Sequence, residues 1–251
     1  MRNNAEIVEL EITDRVATVW LNRPKRLNAV TPELVEDLIT TLHRVGTDTD
    51  VGAVVLAGRG RAFCAGHDLK QPPPRQESRR RLERLQDVTR ALRGLPQPVV
   101  AAVHGYAIGA GAEFALGCDL VVAADDAVFA FPEVGLGLSV TNAASRLLPL
   151  LVGPLKAKEL VLLGERIDAA SAHTLGLVNT VVPVDDLAEH VHRMARTLAD
   201  KPASALALAK RALDHGIDGA LETALELEVS HALITEHSPE VARSKEEFDE
   251  R

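Results

Sequence analysis

The sequence predicts an α/β fold followed by a helical C-terminal region. Two observations carry that prediction. In the first two thirds of the 251 residues, short apolar segments with strand character alternate with segments of helical periodicity. In the last third the helical pattern dominates. The expected division is a core over residues 1–195 and a helical region over 196–251. No repeat of fixed period interrupts this scheme.

The elements follow in order. Residues 6–12, EIVELEI, alternate apolar and polar positions as a half-buried strand does. Thr13-Asp14 reads as a turn into a second strand, 16–21. Thr31-Pro32-Glu33 is a helix start: a capping hydroxyl, a proline at the first helical position, then an acid near the positive dipole end. Leu34, Val35, Leu38, Ile39 and Leu42 give that helix one apolar face. Residues 51–56 form a short buried strand, and the loop RGRAFCAGHDLKQPPP follows. An arginine-crowded helix is expected over 75–93. Strands are expected at 99–103, 120–123 and 127–131, and helices at 154–163, 169–175 and 187–199. From Ser204 onward the pattern is almost wholly helical.

Composition narrows the function classes. Aromatic residues make up 3% of the chain and hydrophobic residues 46%, so the core must be aliphatic. A net charge of −8 argues against bulk attraction to nucleic acid or to an anionic membrane. No apolar run reaches the roughly 20 residues that span a bilayer, and MRNNAEIVEL lacks the apolar segment of a secretory signal. Cys64 and Cys118 are the only cysteines. A disulfide framework is not expected, and the cytoplasm is the expected compartment. The chain has no H-E-x-x-H or C-x-x-C, so no metal site is expected.

Residues 105–120 read GYAIGAGAEFALGCDL, a stretch built for burial except for Glu113. Gly109-Ala110-Gly111 follows a strand and precedes a helix. A dinucleotide loop would need a third glycine where Phe114 stands. A tight helix start offers unpaired backbone N–H groups that could stabilise an oxyanion. Glu113 in the first turn is then either a dipole-satisfying acid or a group facing a ligand. Two further segments bear on the choice. AFCAGHDL (62–69) turns through Ala65-Gly66 and can offer another N–H. AVFAFPEVGLG (127–137) puts Glu133 in a second apolar setting. Two oxyanion turns and two carboxylates suit acid–base chemistry beside a carbonyl that becomes an enolate.

These segments resemble the enoyl-CoA hydratase/isomerase (crotonase) superfamily over nearly the whole chain. The similarity runs from VATVWLNRPKRLNAVTPELVEDL through AVVLAGRGRAFCAGHDLK and PVVAAVHGYAIGAGAEFALGCDLVVAADDAVFAFPEVGLG to ERIDAASAHTLGLVNTVVP. The resemblance implies a spiral of ββα units with a C-terminal trimerisation region, as a homotrimer or a dimer of trimers. It implies oxyanion N–H groups at His67 and Ala110, and catalytic carboxylates at Glu113 and Glu133. The substrate would be an acyl-CoA thioester, contacted by Lys25, Arg26, Leu27, Ala65, Asp68 and Leu69, with Tyr106, Pro132 and Thr141 completing the set. No cofactor is expected, because coenzyme A belongs to the substrate. The implied reaction is hydration of a 2-enoyl-CoA. Double-bond isomerisation, thioester hydrolysis and decarboxylation are the alternatives on the same scaffold, with a non-catalytic scaffold behind them. One departure stands out: where the family carries a glycine-rich turn after Glu133, this chain has SVTNAASR (139–146), so Thr141 and Asn142 bring side chains. His67 also replaces a small residue.

Overall fold

The computed structural model describes residues 6–68 and 78–217, together with 223, 225, 228–231 and 234. The strands and helices run in the order β1 (Val8–Thr13), β2 (Val16–Leu21), α1 (Pro32–Gly46), β3 (Ala53–Gly58), α2 (Ser78–Gly94), β4 (Val99–Val103), β5 (Tyr106–Ile108), α3 (Ala110–Gly117), β6 (Leu120–Ala124), β7 (Val128–Ala130), α4 (Ala144–Val152), α5 (Pro154–Leu163), β8 (Ile167–Asp168), α6 (Ala169–Thr174), β9 (Thr180–Val182), α7 (Leu187–Ala199) and α8 (Ala203–Gly216).

One sheet has the order β1-β2-β3-β4-β6-β9. Its first pair is antiparallel and the rest are parallel. The hairpin turns through Asp14 and Arg15, both at positive φ, as a two-residue connection between right-twisted strands requires. The turn therefore lies one residue beyond the expected Thr13-Asp14. The inner strands are buried on both faces. Val54 and Leu56 of β3 join the main core under α1 and α2. Ala53, Val55 and Ala57 face the other way and pack against Leu187, Val191, Ala195 and Ala199 of α7. Those four recur every fourth residue along one helix stripe. The expected division at 195/196 falls inside α7.

A second set of pairings is stepped. Val30 bridges His67, Cys64 bridges Ala107, and β5 pairs in parallel with β7, which pairs with β8. Each turn of the chain thus lays an extended segment beside the next, while its main strand joins the large sheet. α1 starts as expected: Thr31 accepts from the Leu34 N–H at 3.3 Å. Strand 51–56 begins later, at Ala53, because its ladder with β2 aligns Val16 with Ala53 and Leu21 with Gly58. Of the arginine-rich helix, 75–77 lie outside the described residues, as does most of the tail beyond 217.

The steps pack backbone on backbone. A Cβ added to Gly111 would lie 2.1 Å from the Cys64 carbonyl oxygen, and one on Gly66 would lie 2.6 Å from the Ile108 carbonyl oxygen. Asn28, fully buried, ties the same region together. Its amide donates to the carbonyls of Arg59, Ala62 and Phe63 at 3.0, 2.8 and 3.1 Å, while its Oδ1 accepts from the Arg23 N–H at 2.8 Å. Gly111→Ala is expected to destabilise the fold by about 1–3 kcal/mol, the scale of an overpacked core. Gly94→Ala, where an added Cβ meets nothing within 4 Å, is the control. Urea denaturation midpoints of the two variants against the parent check this.

Candidate active site

Glu113 lies in the first turn of α3, fully buried. Its carboxylate is held by the SVTNAASR segment (139–146). Thr141 donates its backbone N–H to Oε1 at 2.6 Å and its hydroxyl to Oε2 at 2.5 Å, and Asn142 donates its amide to Oε2 at 3.0 Å. Three of the roughly four acceptor positions of the carboxylate are therefore filled. Asn142 is fully buried at φ 47°. It is held in turn by Thr89 of α2, whose hydroxyl lies 3.2 Å from both its carbonyl oxygen and its Oδ1. The side chains of Thr141 and Asn142 thus brace Glu113.

Glu133 is arranged differently. It precedes a short 3₁₀ turn, Val134–Leu136, and its carboxylate packs against Gly109: an added Cβ there would lie 2.8 Å from Oε1. Its Oε2 is buried and has no hydrogen-bond partner. Burial pushes the carboxyl up to about 7, opposed by its own backbone N–H and helped by the nearby Glu113 charge. The two acids thus differ: one is held by three donors, the other is free to carry a proton near neutral pH.

The two turns expected to offer N–H groups meet beside these acids. In the bridge to Val30, Gly66 accepts and Asp68 donates, at 2.8 and 3.0 Å, so the intervening His67 N–H points away from Val30. Gly109, at φ 55°, donates to the Ala130 carbonyl at 2.9 Å and starts α3. The Ala110 N–H is one of the unpaired donors of that helix start. A Cβ added to Gly66 would lie 3.7 Å from the Ala110 nitrogen, so the turns are in contact. The half-buried His67 ring is lowered by burial, with Glu113 pulling it up and Arg81 pushing it down.

The expected thioester contacts divide. Leu27 and Ala65 are brought together by the Ala65 N–H, which donates to the Leu27 carbonyl at 3.0 Å. Lys25 and Arg26 lie exposed on the adjacent 3₁₀ turn, Pro24–Arg26. The Asp68 carboxylate pairs with Arg23 at 3.1 Å with most of its side chain covered, so an ion pair within the chain engages it. Tyr106 is partly exposed on β5 beneath the Arg166 guanidinium, 5.7 Å from the ring centre. Pro132 is half-buried next to Glu133. Thr141 is a direct partner of Glu113. Leu69 lies outside the described residues. Sequence reasoning did not single out Asn28, Arg23 or Thr89. It passed over Asn142 as a departure and Arg81 as part of a charged run. Cys64 is buried and its thiol is pushed up to about 12 by burial, which suits core packing rather than nucleophilic attack. Among the described residues no cluster of three or more His, Cys, Asp or Glu side chains could hold a metal, and no helix is long and apolar enough to cross a membrane.

The stepped fold is that of the crotonase-type enzymes. The profile of the enoyl-CoA hydratase/isomerase family matches residues 11–251, and the chain belongs to that family. The 1,2-epoxyphenylacetyl-CoA isomerase of Escherichia coli is 37% identical over 229 residues, covering 89% of this chain and 87% of that protein. The short-chain-enoyl-CoA hydratase of Clostridium acetobutylicum is 35% identical over 224 residues, covering 88% and 86%. The crystal structure of an enoyl-CoA hydratase from Bacillus anthracis superposes with a TM-score of 0.94 at 32% identity, covering 98% and 96%. Relatives thus bear both hydratase and isomerase names.

Raising the Glu133 pKa has a stability consequence. The folded state holds that proton more tightly than the unfolded chain does, so the contribution is fully present below pH 4.5 and is lost as pH rises through about 7. Wild type measured against Glu133→Gln should therefore lose relative stability across that window and level off above it. Denaturation midpoints of both proteins from pH 4 to pH 8 check this; a constant difference would contradict it.

Proposed function

We propose that this protein hydrates 2-enoyl-CoA thioesters. The observation that carries this reading is the unequal pair of buried acids beside two converging backbone donors. The thioester oxygen would accept from the N–H groups of His67 and Ala110, which makes C3 electrophilic and stabilises the enolate. Loss of one such donor typically costs about 3 kcal/mol of transition-state stabilisation. Water would be held between the acids. Glu113, fixed by Thr141 and Asn142, accepts a water proton through its remaining acceptor position as the oxygen bonds to C3. The C2=C3 electron pair moves into the enolate. Glu133, protonated near pH 7, then delivers its proton to C2, and the proton on Glu113 returns to Glu133 through water to reset the pair. The residues need no metal or redox group for these steps. Lys25 and Arg26 would meet the phosphates of coenzyme A as exposed cations.

A second reading has a specific observation behind it. Three donors already occupy Glu113, while Glu133 has a free oxygen. A single acid moving a proton between two carbons would make the protein a double-bond isomerase. Carboxylate-to-amide changes separate the two. Under the hydratase reading, Glu113→Gln and Glu133→Gln each lower crotonyl-CoA hydration by at least about a hundredfold. The double variant is then far less than multiplicatively worse, since both acids hold one water. Loss confined to Glu133→Gln would favour the isomerase.

The working unit is inferred to be a trimer or a dimer of trimers in the cytoplasm. Leu155, Leu162, Leu163 and Leu213 are 62–82% exposed, more apolar surface than an isolated chain should present along its C-terminal helices. Light scattering at micromolar concentration should give a multiple of three times 26.9 kDa; a monomeric mass would rule it out.

A further inference from the structure

α2 carries six arginines, and most of them are spoken for. Arg79 pairs with Glu83 at 2.8 Å, Arg84 with Glu36 and Asp87 at 2.6 and 3.0 Å, Arg90 with Asp87 at 2.6 Å, and Arg93 with Asp214. Arg80 is exposed to water. Arg81 is unlike the others. It is half-buried, its Nε is shielded from solvent, and it has no hydrogen bond or ion pair among the described residues. A guanidinium cannot shed its charge to escape that setting. A buried donor without a partner is costly, so its persistence points to a partner that arrives from outside the chain.

The fold shows where that partner would sit. Arg81 stands one turn ahead of buried Leu85 on the inward stripe of α2, the stripe that continues through Val88, Thr89 and Leu92. At the far end of that stripe, Thr89 and Leu92 press on Gly117 at the C-terminal end of α3: a Cβ there would meet their side chains at 3.8 and 3.3 Å. Thr89 also holds Asn142, and through it Glu113. Going back from Thr89 to Arg81 covers roughly 12 Å of helix, and the link from Thr89 through Asn142 to Glu113 keeps this helix alongside the buried acid. Arg81 and His67 are close enough to interact electrostatically. His67, Thr141 and Arg81 are half-buried polar groups set among half-buried apolar residues such as Ile108 and Val140, the mixture of apolar lining and a few orienting polar groups that ligand pockets show.

We propose that Arg81 anchors a carboxylate at the far end of the acyl group, so that the substrates are CoA thioesters of dicarboxylic acids. The inference rests on the acyl-CoA reading above and deepens it. The carboxylate would accept from the Arg81 fork in place of water, an interaction that is directional as well as strong. It would hold the acyl chain taut between this anchor and the two backbone donors.

Calorimetry with two saturated five-carbon thioesters, glutaryl-CoA and pentanoyl-CoA, tests this without requiring turnover. They share the coenzyme and differ only in ending with a carboxylate or a methyl group. Wild type should bind glutaryl-CoA at least about tenfold more tightly. Arg81→Met should bring the ratio to within about twofold, and Arg81→Lys should retain part of it. Equal affinities in wild type, or a preference that survives Arg81→Met, would overturn the proposal. So would an equal loss for both ligands, which would put Arg81 on the phosphates of the coenzyme. Equal affinities together with crotonyl-CoA hydration would sink this inference while leaving the hydratase reading intact. Failure of both thioesters to bind would sink both.

Discussion

The structure depends on one close approach: the backbone of 64–66 lies directly against the backbone of 108–111. At Gly111 the separation leaves no room for even a methyl group, since a Cβ would sit 2.1 Å from the Cys64 carbonyl oxygen. That contact sets the stepping of the extended segments, Val30 on His67 and Cys64 on Ala107. It also sets the turns that carry the His67 and Ala110 N–H groups side by side. Side chains could not do this as economically. A backbone donor is fixed by its peptide plane and its neighbours, and it needs no rotamer to be frozen when substrate arrives.

The rest of the site is support for that geometry and for two carboxylates with opposite surroundings. Asn28 holds the carbonyls of Arg59, Ala62 and Phe63 around the 59–63 loop and so fixes the approach of Cys64. On the other side, the relay from Thr89 through Asn142 to Glu113 braces a buried carboxylate. Glu133 receives no such brace and is packed against a glycine, where burial keeps its proton on near neutral pH. In the proposed hydration, the contrast in hydrogen bonding would give the two acids different work, because a carboxyl that carries a proton must have an oxygen to spare.

Much of this was legible in the sequence. Thr31-Pro32-Glu33 announced α1 because cap, proline and acid act locally. Strands such as 99–103 were legible because both faces are apolar. Glu113 and Glu133 stood out as charges among small apolar residues. The misses share a different origin. β5, β8 and β9 are two or three residues long, and pairing geometry rather than periodicity defines them. α4 begins after Ala143 at φ 60° with no side-chain cap and contains Pro149, so its start and interior both lack the usual signals. Thr89 with Asn142 and Arg23 with Asp68 are 53 and 45 residues apart, and nothing local in either partner records the other. For the same reason the arginine-rich helix read as a solvated face. Only packing separates Arg81 from its neighbours.

The central claim is that two backbone donors on converging turns receive the thioester oxygen with both acids on the reacting carbons. A crystal structure of the Glu113→Gln, Glu133→Gln double variant with bound crotonyl-CoA tests it most directly. The account predicts the thioester oxygen at roughly 2.7–3.1 Å from the nitrogens of both His67 and Ala110, with C2 and C3 facing positions 133 and 113. A thioester oxygen beyond hydrogen-bond reach of both nitrogens, or an acyl chain that leaves positions 113 and 133 behind it, would contradict it.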